Sequence, residues 1–531
     1  MESQNVATPE SQSWKPKYNP YIIALAVTLA TFMEILDTTI VNVSLPHIAG
    51  NLSATIDEVT WVLTSYLVSN AIVLPIGGWL TMLFGRKNFY QTCVVLFAIS
   101  SLLCGLAPSL SWLIFFRVMQ GLGGGGLAPS EQAILADTFP RGKAGMGMAV
   151  YGIAIVCAPI IGPTLGGWIT DNYSWRWIFF INIPVSIVSI ILTTWLVEDP
   201  PFLTRRSLKD GLKIDYLGLG LVALGLGFLQ VVLDRGDRDD WFSSNFILIC
   251  SSFSLVAILS AIYWELKEKD PVVDLRLFKE RNFAYANLIM FMVGFVLFGS
   301  TLLIPIFLQQ LLGYSAMMSG MVLSPGGFAT MLLMPVVGIL VSKVEARWLI
   351  LIGIAVASLS LFKMSHLTLD VDYRTLVILR IYQACGLAFL FVPINAVAFY
   401  FIPKNKSSNA SSLINLSRNL GASVGIAAAI HILSNRVQFH QSVLTSHLVA
   451  SNPQYQTWLR ATTAQFMKHG FSLHDATLRA QGLMMAIVMR HANMLSFADA
   501  FWLLGIAFLL MIPAIFLMRK ASPQAGDMAM H

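Results

Sequence analysis

The sequence predicts an all-α integral membrane protein with fourteen spanning helices, built as two six-helix bundles with two further helices inserted between them. Three observations carry that reading. Hydrophobic residues fill 56% and charged residues 12% of the 531 positions, against roughly 45–50% and 25% in soluble domains. A soluble core of this composition would leave large apolar patches in water. Apolar stretches of about 20 residues, the length that crosses a bilayer as a helix, recur along the whole chain. Finally, two local patterns return in the second half of the chain at nearly one offset.

The spans are expected near 21–44, 58–81, 89–107, 111–135, 145–169, 177–197, 214–233, 243–264, 283–310, 316–341, 348–366, 375–400, 408–433 and 497–518. The first twenty residues are polar and include Glu2 and Glu10, unlike the basic start of a signal peptide, so the first apolar segment is read as a retained helix. An even number of spans puts both termini on one side. With the N-terminus inside, cytoplasmic segments hold 21 Lys or Arg, against four (Arg176, Arg235, Arg238, Arg374) in the opposite loops. That bias places both termini in the cytoplasm. It also accounts for the net charge of +6, whose basic residues are scattered in short pairs rather than gathered on a nucleic-acid-binding face.

Gly78-Trp-Leu-Thr-Met-Leu-Phe-Gly-Arg-Lys87 after span 2 is echoed 260 residues later by Gly338-Ile-Leu-Val-Ser-Lys-Val-Glu-Ala-Arg347 after span 10. Arg117-Val-Met-Gln-Gly121 in span 4 returns 263 residues later as Arg380-Ile-Tyr-Gln383 in span 12. The offset equals eight spans, so the duplicated halves are spans 1–6 and 9–14. The expected organisation is a cytoplasmic tail (1–20), an N-terminal bundle (21–197) and a linker with two inserted helices (198–282). A C-terminal bundle (283–518) containing a periplasmic loop (435–496) and a second tail (519–531) complete it. Within that loop, Ser472-Leu-His-Asp475 marks the start of an amphipathic helix running to about Asn493.

Charges inside the apolar spans are the candidate functional residues, because an ionised side chain at the bilayer centre costs at least roughly 2.5–3.5 kcal/mol and is retained for ion, proton or substrate handling. Glu34 and Asp37 lie one turn apart in span 1, and Glu131 and Arg117 lie in span 4. Spans 9–13 hold no Asp or Glu, so proton chemistry is expected in the N-terminal half. The bland alternatives are a structural cap at a helix break for Asp37, an interhelical hydrogen bond for Glu34, and satisfaction of backbone groups freed by Pro129 for Glu131. For Arg117 the alternative is a permanent structural ion pair. Arg380 lacks a matching acid and reads as structural. The five cysteines (Cys93, Cys104, Cys157, Cys250, Cys385) fall in apolar segments without metal-ligand spacing and read as buried free thiols. No nucleophile–base pair or metal cluster supports an enzyme. Gly121-Leu-Gly-Gly-Gly-Gly126 lacks the Lys-Ser/Thr of a phosphate loop and reads as close helix packing.

Several motifs, in order, resemble one family. Leu36-Asp-Thr-Thr-Ile-Val-Asn-Val-Ser-Leu-Pro46, Arg117-Val-Met-Gln-Gly121, Gly152 with Gly162-Pro163-Thr-Leu-Gly166-Gly167, and Trp175-Arg-Trp-Ile-Phe-Phe-Ile-Asn-Ile-Pro184 are similar to those of fourteen-helix drug:proton antiporters of the major facilitator superfamily. The likeness is greatest to the EmrB/QacA group and its EmrB-type inner-membrane pumps. Leu233-Asp-Arg-Gly236, Trp241-Phe-Ser-Ser244 and Leu275-Arg-Leu-Phe-Lys-Glu-Arg-Asn-Phe283 extend the likeness over the chain from about Thr31 to Phe516. The loop after span 2 departs from the family pattern, with Met82 where an Asp is usual and Ser342 in the second copy.

The resemblance implies a proton-coupled exporter of hydrophobic drugs in a bacterial inner membrane, driven by the proton gradient without a cofactor. Asp37 would carry the proton and Arg117 tune it, with Glu34 and Glu131 as added acids. Gly152, Gly162, Pro163, Gly166 and Gly167 would form the antiporter motif, and Gly78, Gly85, Arg86 and Lys87 the gating loop. Trp61, Tyr66, Asn70, Gln132, Gln309 and Asn395 are candidate substrate contacts in an apolar, aromatic cavity with few polar groups. A periplasmic membrane-fusion adaptor and an outer-membrane channel are the implied partners. The alternatives are a symporter, a dedicated exporter of an endogenous metabolite or siderophore, and a non-transporting membrane sensor.

Overall fold

The computed structural model describes residues 16–140, 143–200, 215–403, 406–449 and 451–520. Most of the two expected tails, part of the linker and the basic residues Lys15, Arg141, Arg205, Arg206, Lys209, Lys213 and Lys404 lie outside them. The described residues form helices joined by turns, with no strand among them. The N-terminal half consists of α1 (Pro20–Asn51), α2 (Ile56–Val59), α3 (Trp61–Phe84), α4 (Arg86–Gly105), α5 (Leu110–Gly124), α6 (Leu127–Thr138), α7 (Ala144–Asn172), α8 (Trp177–Phe180) and α9 (Asn182–Leu196). The inserted pair is α10 (Tyr216–Arg235) and α11 (Asn245–Lys267). The C-terminal half follows as α12 (Arg281–Ile306), α13 (Ala316–Val341), α14 (Ala346–Met364), α15 (Tyr373–Tyr400), α16 (Ser407–Thr445), α17 (Pro453–Lys468), α18 (Leu473–Leu509) and α19 (Ile512–Leu517).

Helix starts follow local sequence. Asn19, Asp215, Glu280, Ser315 and Ser472 each accept a backbone N–H of the first turn of α1, α10, α12, α13 and α18, satisfying donors that a helix start leaves open. Side chains on the outer faces, such as Phe246, Ile249, Phe253 and Leu259 of α11, are apolar and exposed, as a lipid-facing surface requires.

Among the described residues twelve helices are long and apolar enough to cross a membrane, and thirteen when the bent α7 is included. The fourth expected span, 111–135, is instead two helices, α5 and α6, of 15 and 12 residues. They part at Gly125-Gly126, where glycine has the lowest helix propensity after proline. Helix α7 bends by 44° between Gly145–Pro159 and Ile161–Asn172. Pro163 explains the place, since its ring clashes with the carbonyl four residues earlier, at Pro159.

The segment 435–496 is not a loop. Helix α16 has 39 residues and α18 has 37, lengths of about 55–60 Å at 1.5 Å per residue, well beyond a hydrocarbon core of about 30 Å. Each continues unbroken from its span into a two-helix stalk, with α17 packed on α18. Asp499 ties the stalk, accepting from Arg436 at 2.5 Å and pairing with His440 at 2.8 Å. Hydropathy marks where a helix leaves lipid and not where it ends, which is why the expected spans stopped near 433 and began only at 497.

Both described chain ends lie on one face. Tyr21 packs on Phe139, and the carbonyls of Met518 and Arg519 accept from Arg347 and Asn282. On this terminal face the two halves touch. A Cβ on Gly145 of α7 would sit 2.7 Å from the carbonyl oxygen of Gly338 on α13, and one on Gly78 of α3 would sit 2.8 Å from Cα of Asn409 on α16. Gly78 and Gly338 are the repeated positions of the loop motif, so the duplication places the same close approach on both sides of the seam. The inserted helix α10 packs on both α3 and α16, and Ser423 of α16 donates to Gln230 of α10 at 3.0 Å.

Candidate functional site

The charges found inside spans converge in the N-terminal half. Asp37 is 1% exposed and Arg117 is fully buried. Arg117 Nη1 donates to Asp37 Oδ2 at 2.5 Å. Asp37 Oδ1 accepts from Asn182 Nδ2 at 2.8 Å and from Gln120 Nε2 at 3.2 Å. Arg117 also donates from Nε to the carbonyl of Val62 at 3.1 Å and from Nη1 to Gln120 Oε1 at 2.8 Å. Its guanidinium lies 4.3 Å from the ring centre of Tyr66 and 5.8 Å from that of Phe179. A buried ion pair is tolerated only with such further partners. The bond from Arg117 crosses from α5 to α1, so the pair is not a local cap at a helix break. Glycine makes room for it, since a Cβ on Gly121 would lie 2.0 Å from Ser69 Oγ and 2.4 Å from the Tyr66 carbonyl oxygen.

The second repeat repeats the scaffold without the carboxylate. Arg380 Nη1 donates to Gln383 Oε1 at 2.6 Å, and Gln383 Nε2 donates to Ser300 Oγ at 2.8 Å. Ser300 lies 263 residues after Asp37, so the hydroxyl stands where the first half has its carboxylate.

Glu34 accepts from Asn70 Nδ2 at 3.0 Å and from Tyr66 Oη at 3.3 Å, which joins two expected substrate contacts to this acid. Glu131 accepts from Thr28 Oγ1 at 2.6 Å, an interhelical bond from α1 to α6 rather than the repair of backbone near Pro129 that is its alternative reading. The carbonyl of Pro129 instead accepts from Ser411 Oγ at 2.6 Å. Gln132 donates to Asn395 across the seam, and Gln132 Oε1 accepts from Asn415 at 2.8 Å and Ser411 at 2.9 Å. Gln132 and Asn395 are themselves one repeat apart, 263 residues. Trp61 lies away from this centre under the Arg235 guanidinium, 4.9 Å from its ring centre. Gln309 is exposed in the π-helical end of the ninth span, Phe307–Leu311.

In the expected antiporter motif, a Cβ on Gly162 would meet Thr39 Oγ1 at 1.9 Å and one on Gly166 would meet Ile40 Cα at 3.1 Å. These contacts press α7 onto α1 within one turn of Asp37. Gly152 faces Met334 of the other half at 2.8 Å, whereas a Cβ on Gly167 would meet nothing within 4 Å. In the expected gating loop Gly85 has φ +79°, a conformation that favours glycine. Buried Arg86 donates to Asp137, to the Ala133 carbonyl at 3.1 Å and, across the seam, to Ser407 and Ser408 at 3.1 Å each. Lys87 Nζ donates to the Thr194 carbonyl at 2.6 Å. Although Met82 carries no charge, an ion pair lies beside it, with Lys406 Nζ 2.7 Å from Asp274 Oδ2.

A family model described as Major Facilitator Superfamily matches residues 27–426. The chain belongs to this superfamily. It is a multi-pass membrane transporter of the EmrB type. "Multidrug export protein EmrB" of Haemophilus influenzae is 40% identical over 443 residues, 82% of this chain and 85% of that protein. The Escherichia coli (strain K12) protein of the same name is 34% identical over 507 residues, 95% and 96% of the two chains. "Fatty acid resistance protein FarB" of Neisseria gonorrhoeae is 34% identical over 505 residues, 95% of this chain and 97% of that one. The superfamily's fold is also seen in the proton:xylose symporter XylE, with a TM-score of 0.60 at 14% identity over 95% of this chain and 97% of that one.

Three residues of the site escaped the sequence reading. Gln120 and Asn182 lie inside motifs already picked out, but neutral amides give no signal of their own in an apolar span. Arg418, in the thirteenth span, donates to Tyr151 Oη of α7 at 2.7 Å and is legible by the same rule that selects Glu34.

Proposed function

We propose that this superfamily member is a proton-coupled antiporter that exports hydrophobic drugs by alternating access, with both termini in the cytoplasm of a bacterial inner membrane. The observation that carries the proposal is the buried Asp37–Arg117 pair, whose counterpart in the other repeat is the uncharged Ser300. A carboxylate in low dielectric binds a proton readily when its cation withdraws and releases it when the cation returns. Asp37 is the proton carrier and Arg117 the cation that tunes it, with Gln120 and Asn182 holding the carboxylate. Gly162 and Gly166 seal α7 against the turn that follows Asp37 and limit water access, which opposes proton leak without substrate. The names of the EmrB relatives support drugs as the cargo, and the apolar walls with Tyr66, Asn70, Gln132 and Asn395 suit such compounds.

The test is exchange in proteoliposomes. An imposed pH gradient should drive uptake of a fluorescent lipophilic drug, and adding drug should release protons from the opposite side. Uptake that ignores the gradient would refute antiport.

The stalk supports a second part of the proposal, docking of a periplasmic adaptor that leads to an outer-membrane channel. Two projecting helices far exceed what joining neighbouring spans requires, and extra ordered segments of this size are usually functional. Replacing residues 446–472 with a short Gly/Ser linker should abolish resistance in cells while transport in proteoliposomes persists. Loss of both activities at normal expression would assign the stalk to the transporter's own structure.

A further inference from the structure

The antiport reading gives Arg418 no role. Arg418 lies on α16, eleven residues inside its start at Ser407, about 16 Å along the helix at 1.5 Å per residue and so near the bilayer midplane. Its Nη1 donates to Tyr151 Oη of α7 at 2.7 Å, and Tyr151 donates to Asn415 at 2.5 Å. Arg418 therefore belongs to the C-terminal half but is held by the N-terminal one. Asn415 in turn donates to Gln132 Oε1 at 2.8 Å, which sets Arg418 beside the turn of α6 that carries Glu131, and Glu131 is bonded to Thr28 of α1, the helix that carries Glu34. Arg418 acts electrostatically on both acids, yet among the described residues it forms no ion pair with either. Glu131 is fully buried, and its Oε2 makes no hydrogen bond of normal geometry.

We propose that Glu34, Glu131 and Arg418 form a second charge site, separate from Asp37–Arg117, at which a proton or a lipophilic cation takes over the role of the Arg418 guanidinium. The proposal rests on the exporter reading and adds a substrate class and a coupling residue to it.

The reason for a second site is mechanical. Asp37, Arg117, Gln120 and Asn182 all lie in the N-terminal half, so rigid-body rocking alone does not part Arg117 from Asp37; that withdrawal takes a local shift of α5 against α1 within the half. The distance from Arg418 to Glu34 and Glu131 must change, because the partners ride on different halves. With the terminal face closed, as here, the guanidinium offsets the two acids. When that face opens, the acids lose their cation, and two neighbouring carboxylates without one repel each other and resist being ionised together. They then take up protons or the charge of a cationic drug. Closure returns Arg418 and expels that charge toward the opposite face.

The other ionisable groups facing this site are Tyr66 of α3, Tyr90 of α4, Tyr151 of α7 and Asp37 of α1. Arg117, stacked on Tyr66 and paired with Asp37, is the other cation nearby, but it rides on the same half as the acids, so Arg418 is the one positive charge that the motion brings and removes. With Arg418 near them the acids hold a proton less readily than without it, so on this proposal the closed state binds fewer protons than the open one. Raising pH therefore favours closure, and lowering it favours opening.

Spin labels at Lys143 and Lys343, which end α7 and α13 on the terminal face, report this motion without transport. In the wild-type background the long-distance population should grow as pH falls. Tetraphenylphosphonium should enlarge it at neutral pH, and the Glu34→Gln/Glu131→Gln variant should bind this cation at least about tenfold more weakly, as loss of a charge-assisted contact predicts. Arg418→Gln and the double acid variant should both lose the pH response, whereas Arg418→Lys, which keeps the charge, should retain it. A pH response in both neutralised variants equal to the wild-type one, or none in the wild-type background, would overturn the proposal. Asp37→Asn separates the two readings. If it exchanges drug for protons normally, the Asp37 assignment fails and the cross-half site stands.

Discussion

Asp37→Asn is expected to abolish gradient-driven drug uptake while the protein still folds and inserts. The amide keeps the shape of the side chain and can still accept from Asn182 and Gln120, but it neither binds nor releases a proton. It also strips Arg117 of its counter-charge. Removing one member of a buried pair costs about 3–5 kcal/mol, and here the rings of Tyr66 and Phe179 and the Val62 carbonyl remain to offset part of that for the guanidinium. The variant should therefore melt earlier in detergent yet elute as a single folded species. Arg117→Ala should shift or erase the pH dependence of transport and lose more stability, since Asp37 would then sit charged among neutral amides. Full proton-driven uptake by a well-expressed Asp37→Asn protein would remove Asp37 from the coupling role. An unchanged pH profile for Arg117→Ala would leave that residue a structural one.

The second large effect is expected at the seam between the halves. Gly145→Val should hold the terminal face apart, because even a Cβ there would stand 2.7 Å from the carbonyl oxygen of Gly338. Backbone cannot yield as a flexible side chain can. Transport should fall by at least about tenfold, equivalent to some 1.4 kcal/mol against the closed state. The same spin-label pair at Lys143 and Lys343 should show the longer distance at every pH. Gly167→Ala, whose Cβ would meet nothing within 4 Å, should leave both readings close to wild type. A Gly145→Val protein that closes and transports normally would show that the halves do not meet there during the cycle.

The sequence alone determined the membrane class, the helical fold, the places of most spans and the duplication, because these rest on local hydropathy and on residue identity at a fixed offset. It also singled out Asp37, Arg117, Glu34 and Glu131, since a charge in an apolar span is conspicuous without any structure. Only the tertiary structure decided which of these meet. Asp37 and Arg117 are 80 residues apart in sequence and 2.5 Å apart in space, while Trp61 and Gln309, equally suitable by composition, lie away from the centre. The stalk was hidden because a helix leaving lipid changes composition without ending. The break between α5 and α6 depended on how a glycine run packs against α3 and α4. Gln120, Asn182 and Arg418 acquire their roles from position, since a hydrogen bond or a cross-half charge depends on distance, and distance between remote residues is a property of the packed halves and not of the chain order.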